Sequence, residues 1–200
     1  MPEFECRDCG TSFTLPESIL KRYPGWTPRQ CRDCRSGESS NQSRSESEIG
    51  SSGGGPRTGV FTDGSSSPNP GPGGWGAVYV KENEIIDEAY GYGGETTNNR
   101  MELLALIEAA SLVPEGTPAT VYSDSNLAVR TINEWAAGWE KKGWRRKSGP
   151  VQNLDLVKEA YRVYRQRPNL DVTWIKAHVG FRWNEYADEL ANRGRLEGSR

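Results

Sequence analysis

The stretch Val60-Phe61-Thr62-Asp63-Gly64-Ser65 opens the most strongly patterned part of this chain of 200 residues. Its apolar start predicts a β-strand over residues 58–63. We expect the strand to end at Asp63, because residues 64–74 are rich in glycine, proline and serine, which are typical of turns. An aspartate at a strand end, followed by glycine, is placed to direct its carboxylate into an open site.

Downstream of this stretch, the apolar residues alternate between the period of a strand and that of a helix. The predicted strands cover residues 58–63, 75–81, 84–92, 119–123 and 171–176, and the predicted helices cover residues 100–112, 125–135, 152–166 and 184–195. The first helix is expected to bury Leu103, Leu104, Ile107 and either Ala110 or Ser111, and Leu127 is expected on the apolar face of the second. Three meandering strands followed by alternating helices and strands predict an α/β fold with a five-stranded mixed sheet flanked by helices.

Four acidic residues recur at the ends of these elements or on their helices: Asp63, Glu102, Asp124 and Asp188. Each alone has a simple structural explanation, such as a turn, the first turn of a helix, a helix cap or a solvent-facing position. Together, two at strand ends and two on helices that can pack beside those strands suggest one cluster. Gathered carboxylates repel one another, and divalent cations relieve that repulsion. Carboxylate oxygens suit Mg²⁺ or Mn²⁺ rather than zinc.

The charge of the chain is close to balanced, with a formal net charge of -2 and a pI of about 5.6. Any binding of nucleic acid must therefore come from a local patch. A cationic segment interleaved with tryptophan supplies one, and such a mixture suits a phosphate backbone with its sugars and bases. Its residues are Trp139, Lys141, Lys142, Trp144, Arg145, Arg146 and Lys147. The alternative is a solvated helix face with Trp135 and Trp139 packed inward.

All four cysteines lie near the start of the chain, as Cys6-x-x-Cys9 and Cys31-x-x-Cys34. Two such pairs predict one structural Zn²⁺ with a closed four-thiolate shell, against the alternatives of a redox pair or a disulfide. The segment resembles a small family of bacterial zinc-ribbon domains. Arg29, Arg32 and Arg35 beside Trp26 form either a contact surface or a solvated rim around a small core.

Composition divides the chain into a zinc-ribbon-like domain (residues 1–35), a flexible Ser/Gly-rich linker (residues 36–57) and a second domain (residues 58–196). No apolar run approaches the roughly 18 residues of a membrane span. The first residues lack the pattern of a signal peptide. The expectation is a cytoplasmic protein without a membrane partner, acting as a monomer.

The second domain is similar to type 1 ribonuclease H, the bacterial form with a basic protrusion. The stretches that carry the resemblance are Thr62-Asp63-Gly64-Ser65, Asn69-Pro70-Gly71-Pro72-Gly73-Gly74, Thr96-Thr97-Asn98-Asn99-Arg100-Met101-Glu102-Leu103, Ser123-Asp124-Ser125, Lys176-Ala177-His178-Val179-Gly180 and Asn184-Glu185-Tyr186-Ala187-Asp188. The resemblance implies an endonuclease that hydrolyses the RNA strand of RNA/DNA hybrids, leaving 5′-phosphate and 3′-hydroxyl ends. It also implies two Mg²⁺ or Mn²⁺ ions at the active site.

The same resemblance assigns roles to single residues. Asp63 would bridge both ions, Glu102 and Asp124 would complete one side, and Asp188 the other. His178 would orient the attacking water, accept its proton or help the product leave. The RNA 2′-hydroxyl would be sensed by Asn69, Asn98, Asn99, Asn126 and Asn184, and the protrusion would hold the DNA strand.

Three alternatives remain open from the sequence. The sheet could serve a different nuclease, such as an exonuclease or a transposase-type enzyme, although the asparagines and the protrusion argue against it. The chain could bind hybrids with little turnover, or derive from a mobile element in which the nuclease is fused to a polymerase. The ribbon is expected to bind nucleic acid as an accessory, with a protein-docking or purely structural module as the alternative and its protein partner unknown.

Overall fold

The computed structural model describes residues Glu3–Glu5, Ser12–Thr14 and 54–198. The chain divides into two units, Met1–Ser51 and Ser52–Arg200. In the first unit, strands β1 (Glu3–Glu5) and β2 (Ser12–Thr14) pair antiparallel, with Phe4 opposite Phe13. The predicted zinc ligands, Cys6, Cys9, Cys31 and Cys34, lie outside the described residues, as does most of the predicted linker.

The second unit contains one central sheet. Its elements are β3 (Gly59–Ser66), β4 (Gly71–Lys81), β5 (Glu84–Thr96), α1 (Asn98–Leu112), β6 (Ala119–Ser123), α2 (Asn126–Arg130), a π-helical turn (Thr131–Trp135), α3 (Ala136–Glu140), β7 (Arg145–Arg146), β8 (Gly149–Pro150), α4 (Leu154–Gln166), β9 (Leu170–Trp174) and α5 (Arg182–Glu197). The strand order is β5-β4-β3-β6-β9. β3, β4 and β5 are antiparallel neighbours, whereas β6 runs parallel to both β3 and β9. This confirms the predicted α/β fold with a five-stranded mixed sheet.

Helices cover both faces of the sheet. On one face, α1 and α4 enclose an apolar core that includes Val60, Tyr79 and Leu106. On the other face, α5 packs over Phe61 and Val78. Within the ranges that the structure describes, no helix is both long and apolar enough to cross a membrane.

The buried face of α1 differs from the predicted stripe. Leu103 and Ala110 are buried as expected, but Leu104 and Ile107 are only partly buried. The buried set is Met101, Leu103, Ala105, Leu106, Ala109, Ala110 and Leu112. Its small alanines allow the helix to lie close to the sheet. Leu127 was predicted to lie on the buried, apolar face of its helix. That prediction is wrong, since 48% of this residue is exposed.

Asp63 is not at the end of its strand, which corrects the prediction from sequence. β3 continues to Ser66, and β4 begins at Gly71 inside the stretch expected to be a loop. The glycines there serve helix packing as well as turns. A β-carbon on Gly64 would lie 2.2 Å from the backbone nitrogen of Glu102, and one on Gly74 would lie 2.3 Å from the carbonyl oxygen of Ala191. The glycines therefore let α1 and α5 approach the sheet at backbone distance.

Candidate active site

Asp63 and Asp124 occupy corresponding positions on neighbouring strands. Thr62 of β3 pairs with Ser123 at the end of the parallel strand β6, so the aspartate after each residue falls at the same level of the sheet. Asp188 arrives from α5, and its carboxyl group lies close enough to that of Asp63 to raise the pKa of Asp63. Three of the four predicted acids are thus brought together by one strand pairing and one helix crossing.

The surroundings of Asp63 favour its protonated form when no cation is present. Burial raises its pKa to about 8, and the negative charges of Asp124 and Asp188 act in the same direction. A hydrogen bond from the backbone of Gly64 opposes them. A positive ion placed beside this carboxyl group would stabilise its ionised form.

Glu102 lies in the first turns of α1 and is tied to the loop that carries Asp124. The hydroxyl of Ser125 donates a hydrogen bond to its Oε2. Burial raises the pKa of Glu102, the Ser125 bond lowers it, and the charge of Asp124 raises it. Ser125 also caps α2 by accepting a hydrogen bond of 3.3 Å from the backbone nitrogen of Ala128. One hydroxyl therefore connects the fourth acid to the other three.

Asp124 is held by two side chains. Asn184 Nδ2 donates to Asp124 Oδ2 at 3.0 Å, and the indole Nε1 of Trp174 donates to the Asp124 carbonyl oxygen at 3.0 Å. Asn184 was expected to contact substrate, but only 4% of it is exposed. Its burial and its bond to Asp124 favour a positioning role instead.

Three further residues of this site, Ser125, Trp174 and Asn192, were not among the predicted ones. Asn192 Nδ2 donates to Asp188 Oδ1 at 2.9 Å. The cap position of Ser125, directly after Asp124, and the four-residue spacing from Asp188 to Asn192 on one helix were usable signals. No local pattern marks Trp174, because its contact with Asp124 depends on the pairing of β6 with β9.

The four acids fit divalent cations by the chemistry of their donor atoms. Among the described residues, no three His, Cys, Asp or Glu side chains already lie close enough to ligate one ion. Electrostatic interactions still connect the four acids. The charges of Asp124 and Asp188 raise the pKa of Asp63, and the charge of Asp124 raises the pKa of Glu102. Their oxygens are the hard ligands that Mg²⁺ and Mn²⁺ prefer.

The other predicted asparagines surround the start of α1 and of α2. The backbone nitrogen of Ser66 donates to Asn98 Oδ1 at 2.6 Å, and the backbone nitrogen of Asn98 donates to Asn69 Oδ1 at 3.3 Å. These bonds fix two amides at the end of β3. Asn99 and Asn126 are exposed at the first turns of their helices. All four lie on elements that also carry or adjoin an acid.

His178 lies in the turn between β9 and α5, where it is exposed and has a φ of 51°. Among the described residues, no hydrogen bond ties it to the acids. The only histidine of the chain thus lies on the connection between the strand that ends at Trp174 and the helix that contains Asn184.

A cleft leads from Glu102 to the predicted basic protrusion. Its lining includes Asn99, Trp135, Trp139, Arg146 and Asn153. The ring centroids of Trp135 and Trp139 are 5.9 Å apart, which fits the expectation that these tryptophans shape the element. The cations Lys141, Lys142, Arg145 and Lys147 are exposed beyond them.

The protrusion is anchored on α4. The ring of Trp144 meets that of Tyr161 edge-on at 6.1 Å, and Arg165 Nη1 lies 2.8 Å from Glu140 Oε2. β7 and β8 close its tip, where Arg146 Nε donates to the carbonyl oxygen of Pro150 at 2.9 Å. These contacts hold the cations beside the cleft.

The sequence and the fold of the chain are similar to those of known proteins. Residues 56–195 match the family model described as RNase H. A protein named Ribonuclease H from Methylorubrum extorquens (strain PA1) is 45% identical over 143 residues, covering 70% of this chain and 61% of that protein. Another from Hahella chejuensis (strain KCTC 2396) is 46% identical over 141 residues, covering 68% of this chain and 90% of that one. The crystal structure of LC11-RNase H1 in complex with an RNA/DNA hybrid has 28% identity and a TM-score of 0.53, covering 70% of this chain and 98% of that one. The chain therefore belongs to the ribonuclease H family of hydrolytic nucleases.

Proposed function

We propose that this chain is an endonuclease of the type 1 class that hydrolyses the RNA strand of RNA/DNA hybrids with two divalent cations. The observation that carries the proposal is the grouping of Asp63, Glu102, Asp124 and Asp188 beside the adjacent inner strands β3 and β6 in a member of this family. LC11-RNase H1, at 28% identity, was crystallised in complex with such a hybrid.

In this proposal Asp63, Glu102, Asp124 and Asp188 would hold two Mg²⁺ or Mn²⁺ ions. When bound, the ions would neutralise charge at the phosphate and lower the pKa of a bound water. Asn184 and Ser125 keep Asp124 and Glu102 in place. Cleavage leaves 5′-phosphate and 3′-hydroxyl ends.

His178 is proposed to accept the proton of the attacking water or to assist product departure. It is exposed in a turn, so its imidazole can reach solvent and substrate alike. We expect its removal to cost less activity than the removal of a carboxylate.

Selection of RNA is proposed to rest on the amides of Asn69, Asn98, Asn99 and Asn126. An amide both donates and accepts, so it can recognise a 2′-hydroxyl, the group that separates RNA from DNA. The role in substrate contact that the sequence suggested for Asn184 is replaced here by the positioning of Asp124.

The protrusion is proposed to hold the DNA strand. Its lysines and arginines would contact phosphates, while Trp139 and Trp144 would support sugars or bases. Because phosphate contacts carry no base information, cleavage should show little dependence on sequence.

The decisive experiment is cleavage by Asp63→Asn of a hybrid whose ends are blocked and whose RNA is labelled internally. We expect wild type to cut inside the RNA strand only, and Asp63→Asn to lose cleavage while keeping its circular dichroism spectrum. Asp171→Asn on β9 is the matched control, since it removes an exposed carboxylate without touching the cluster.

Retained cleavage by Asp63→Asn would remove the two-metal assignment. Cleavage that starts only from free ends would favour an exonuclease, and wild-type binding without products would favour a hybrid-binding module. Each alternative is therefore read out in the same assay.

For the first unit, we propose one structural Zn²⁺ held by Cys6, Cys9, Cys31 and Cys34, in a domain of residues 1–35 joined by the linker 36–57 to the catalytic domain 58–196. The support is the spacing of two Cys-x-x-Cys pairs. Elemental analysis of the full chain, purified under reducing conditions, should find one zinc per chain. Zinc absent from such protein would refute the site.

We further propose that the ribbon raises affinity for nucleic acid as a tethered second site. Hybrid binding by Asp124→Asn, which should bind without cutting, tests this in the full chain and in a chain beginning at Arg57. Several-fold tighter binding by the full chain supports the proposal. Equal binding contradicts it and directs the search to protein partners or a structural role.

A further inference from the structure

Asn192 occupies a helical position that needs an explanation. It lies one turn after Asp188 within α5, where asparagine is a weaker helix former than alanine or leucine. Its Nδ2 donates to Asp188 Oδ1 at 2.9 Å and to the Asp188 carbonyl oxygen at 3.0 Å. The amide thus grips both the side chain and the backbone of one member of the acid cluster.

The other end of the same amide reaches the sheet. Asn192 Oδ1 lies 3.4 Å from the hydroxyl of Ser65, which can donate to it, and Arg195 Nη2 lies 3.4 Å from the same oxygen. Ser65 is two residues after Asp63 on β3, so the two side chains share one face of the strand. Asn192 therefore connects Asp188 to the strand that carries Asp63.

Asn192 thus joins α5 to β3 next to two of the acids. Its hydrogen bond from Ser65 anchors the amide to the strand that carries Asp63, and its two bonds to Asp188 restrict the rotation of that residue. A carboxylate whose orientation is fixed before a cation arrives loses less freedom when it binds.

We propose that Asn192 is a positioning residue that sets the affinity of the acid cluster for a divalent cation by orienting Asp188 against β3. The proposal rests on the two-metal function proposed above. Asn192 acts through Asp188 and is not expected to touch the substrate.

The test is direct titration of the full chain with Mn²⁺ by calorimetry, without substrate. Asn192→Leu removes the amide at similar volume, and Asn192→Ala is a second variant that favours the helix. Loss of a residue that supports a metal ligand typically weakens metal binding about 10-fold or more. We expect both variants to bind Mn²⁺ about 10-fold more weakly and to need correspondingly more Mg²⁺ for half-maximal cleavage, with kcat largely recovered at saturating Mg²⁺.

Two reference variants frame that result. Asp188→Asn sets the loss expected when the ligand itself is impaired. Asn133→Ala is the matched control, because Asn133 Nδ2 also donates to a carbonyl oxygen, that of Val172 at 2.8 Å, but away from the acids. Asn133→Ala should lower the midpoint of unfolding without changing Mn²⁺ affinity.

Ser65→Ala tests the link between Asn192 and β3. It should weaken Mn²⁺ binding less than Asn192→Leu does. Combining the two substitutions should weaken binding no further than Asn192→Leu alone, since both act through one link.

Wild-type Mn²⁺ affinity in Asn192→Leu and Asn192→Ala would overturn the proposal, and so would an equal loss in Asn133→Ala, which would indicate general loosening. A different result would refute the two-metal function itself: wild type cleaves hybrids, but its Mn²⁺ binding is not lost in Asp188→Asn. In that case this inference fails with it. Normal wild-type binding with unaffected Asn192 variants would overturn the positioning role alone.

Discussion

Among the four acids, Asp63 has the surroundings that most disfavour a negative charge when no cation is bound. It is buried beside Asp124 and Asp188, and its pKa of about 8 compares with an ordinary value of 3.8. The cost follows from desolvation first and from like charge second. A position that destabilises the metal-free fold but suits a bound cation is typical of a functional site rather than a structural one.

The first prediction concerns the stability of the metal-free protein against pH. Between about pH 4 and pH 8 the unfolded chain has released the Asp63 proton while the folded chain keeps it. The free energy of unfolding should therefore fall as the pH rises through this window. Asp63→Asn should unfold at about the same urea concentration as wild type at pH 4 and be more stable at pH 9, by tryptophan fluorescence.

Addition of Mg²⁺ at pH 9 should stabilise wild type more than Asp63→Asn. Asp155→Asn serves as a control of opposite sign, because Arg100 lowers the pKa of Asp155 and its contribution is lost as the pH falls. Parallel loss of stability in wild type and Asp63→Asn from pH 5 to pH 9 would contradict the assignment.

At the scale of elements, the site depends on how closely α1 and α5 approach the sheet. Gly64 faces the backbone of Met101 and Glu102, while Gly76 faces the carbonyl oxygen of Ala187. The acids therefore reach one another because helices on both faces pack against glycine. A strand with ordinary side chains here would hold Glu102 and Asp188 farther from Asp63.

The second prediction is that Gly64→Ala destabilises the fold and impairs the site together. Its β-carbon would lie 2.2 Å from the Glu102 nitrogen, so α1 must move outward. Overpacking of this kind typically costs about 1–3 kcal/mol. We expect that loss in urea unfolding, accompanied by a lower kcat because Glu102 moves with α1.

Gly138→Ala is the matched control for this substitution. Gly138 lies in α3 with nothing within 4 Å of the added β-carbon, so alanine should stabilise the helix by about 0.5–1 kcal/mol. Equal effects of the two substitutions would show that close packing at Gly64 is not the cause.

For the whole molecule, the distribution of charge matters more than its sum. The chain carries a net charge of -2, yet residues 141–147 contain five cations and no acid. The protrusion presents these cations beside the cleft that begins at Glu102. Affinity for a polyanion should therefore be local and depend strongly on salt.

The third prediction is that neutralising the protrusion flattens the salt dependence of hybrid binding. In an Asp124→Asn background, changing Lys141, Lys142, Arg145, Arg146 and Lys147 to glutamine should reduce the slope of log K against log salt. Each lost phosphate contact accounts for up to about 0.9 of slope on duplex DNA. Fluorescence anisotropy at a series of salt concentrations measures it.

A matched pair of double variants separates position from charge. Lys141→Gln with Lys142→Gln should reduce the slope, while Arg57→Gln with Lys81→Gln, which removes the same charge elsewhere, should not. Equal slopes in all variants would exclude the protrusion as the phosphate-binding element.

The amino-acid sequence by itself determined the order of the five sheet strands and the sheet class, because strand and helix periods are local properties. It also singled out the four acids as candidates, through their placement and their match to the motifs of a known family. Tertiary structure decided the rest. Gly64 and Gly74 were predicted from sequence to be turn residues, but they lie in strands, where their lack of a side chain gives α1 and α5 room. Asn184 was predicted from sequence to contact substrate, but it is buried and donates a hydrogen bond to Asp124. Trp174 joined the site only because β9 pairs with β6. The physical reason is that a residue's local pattern shows which conformation it prefers, whereas its partner depends on which other element packs against it.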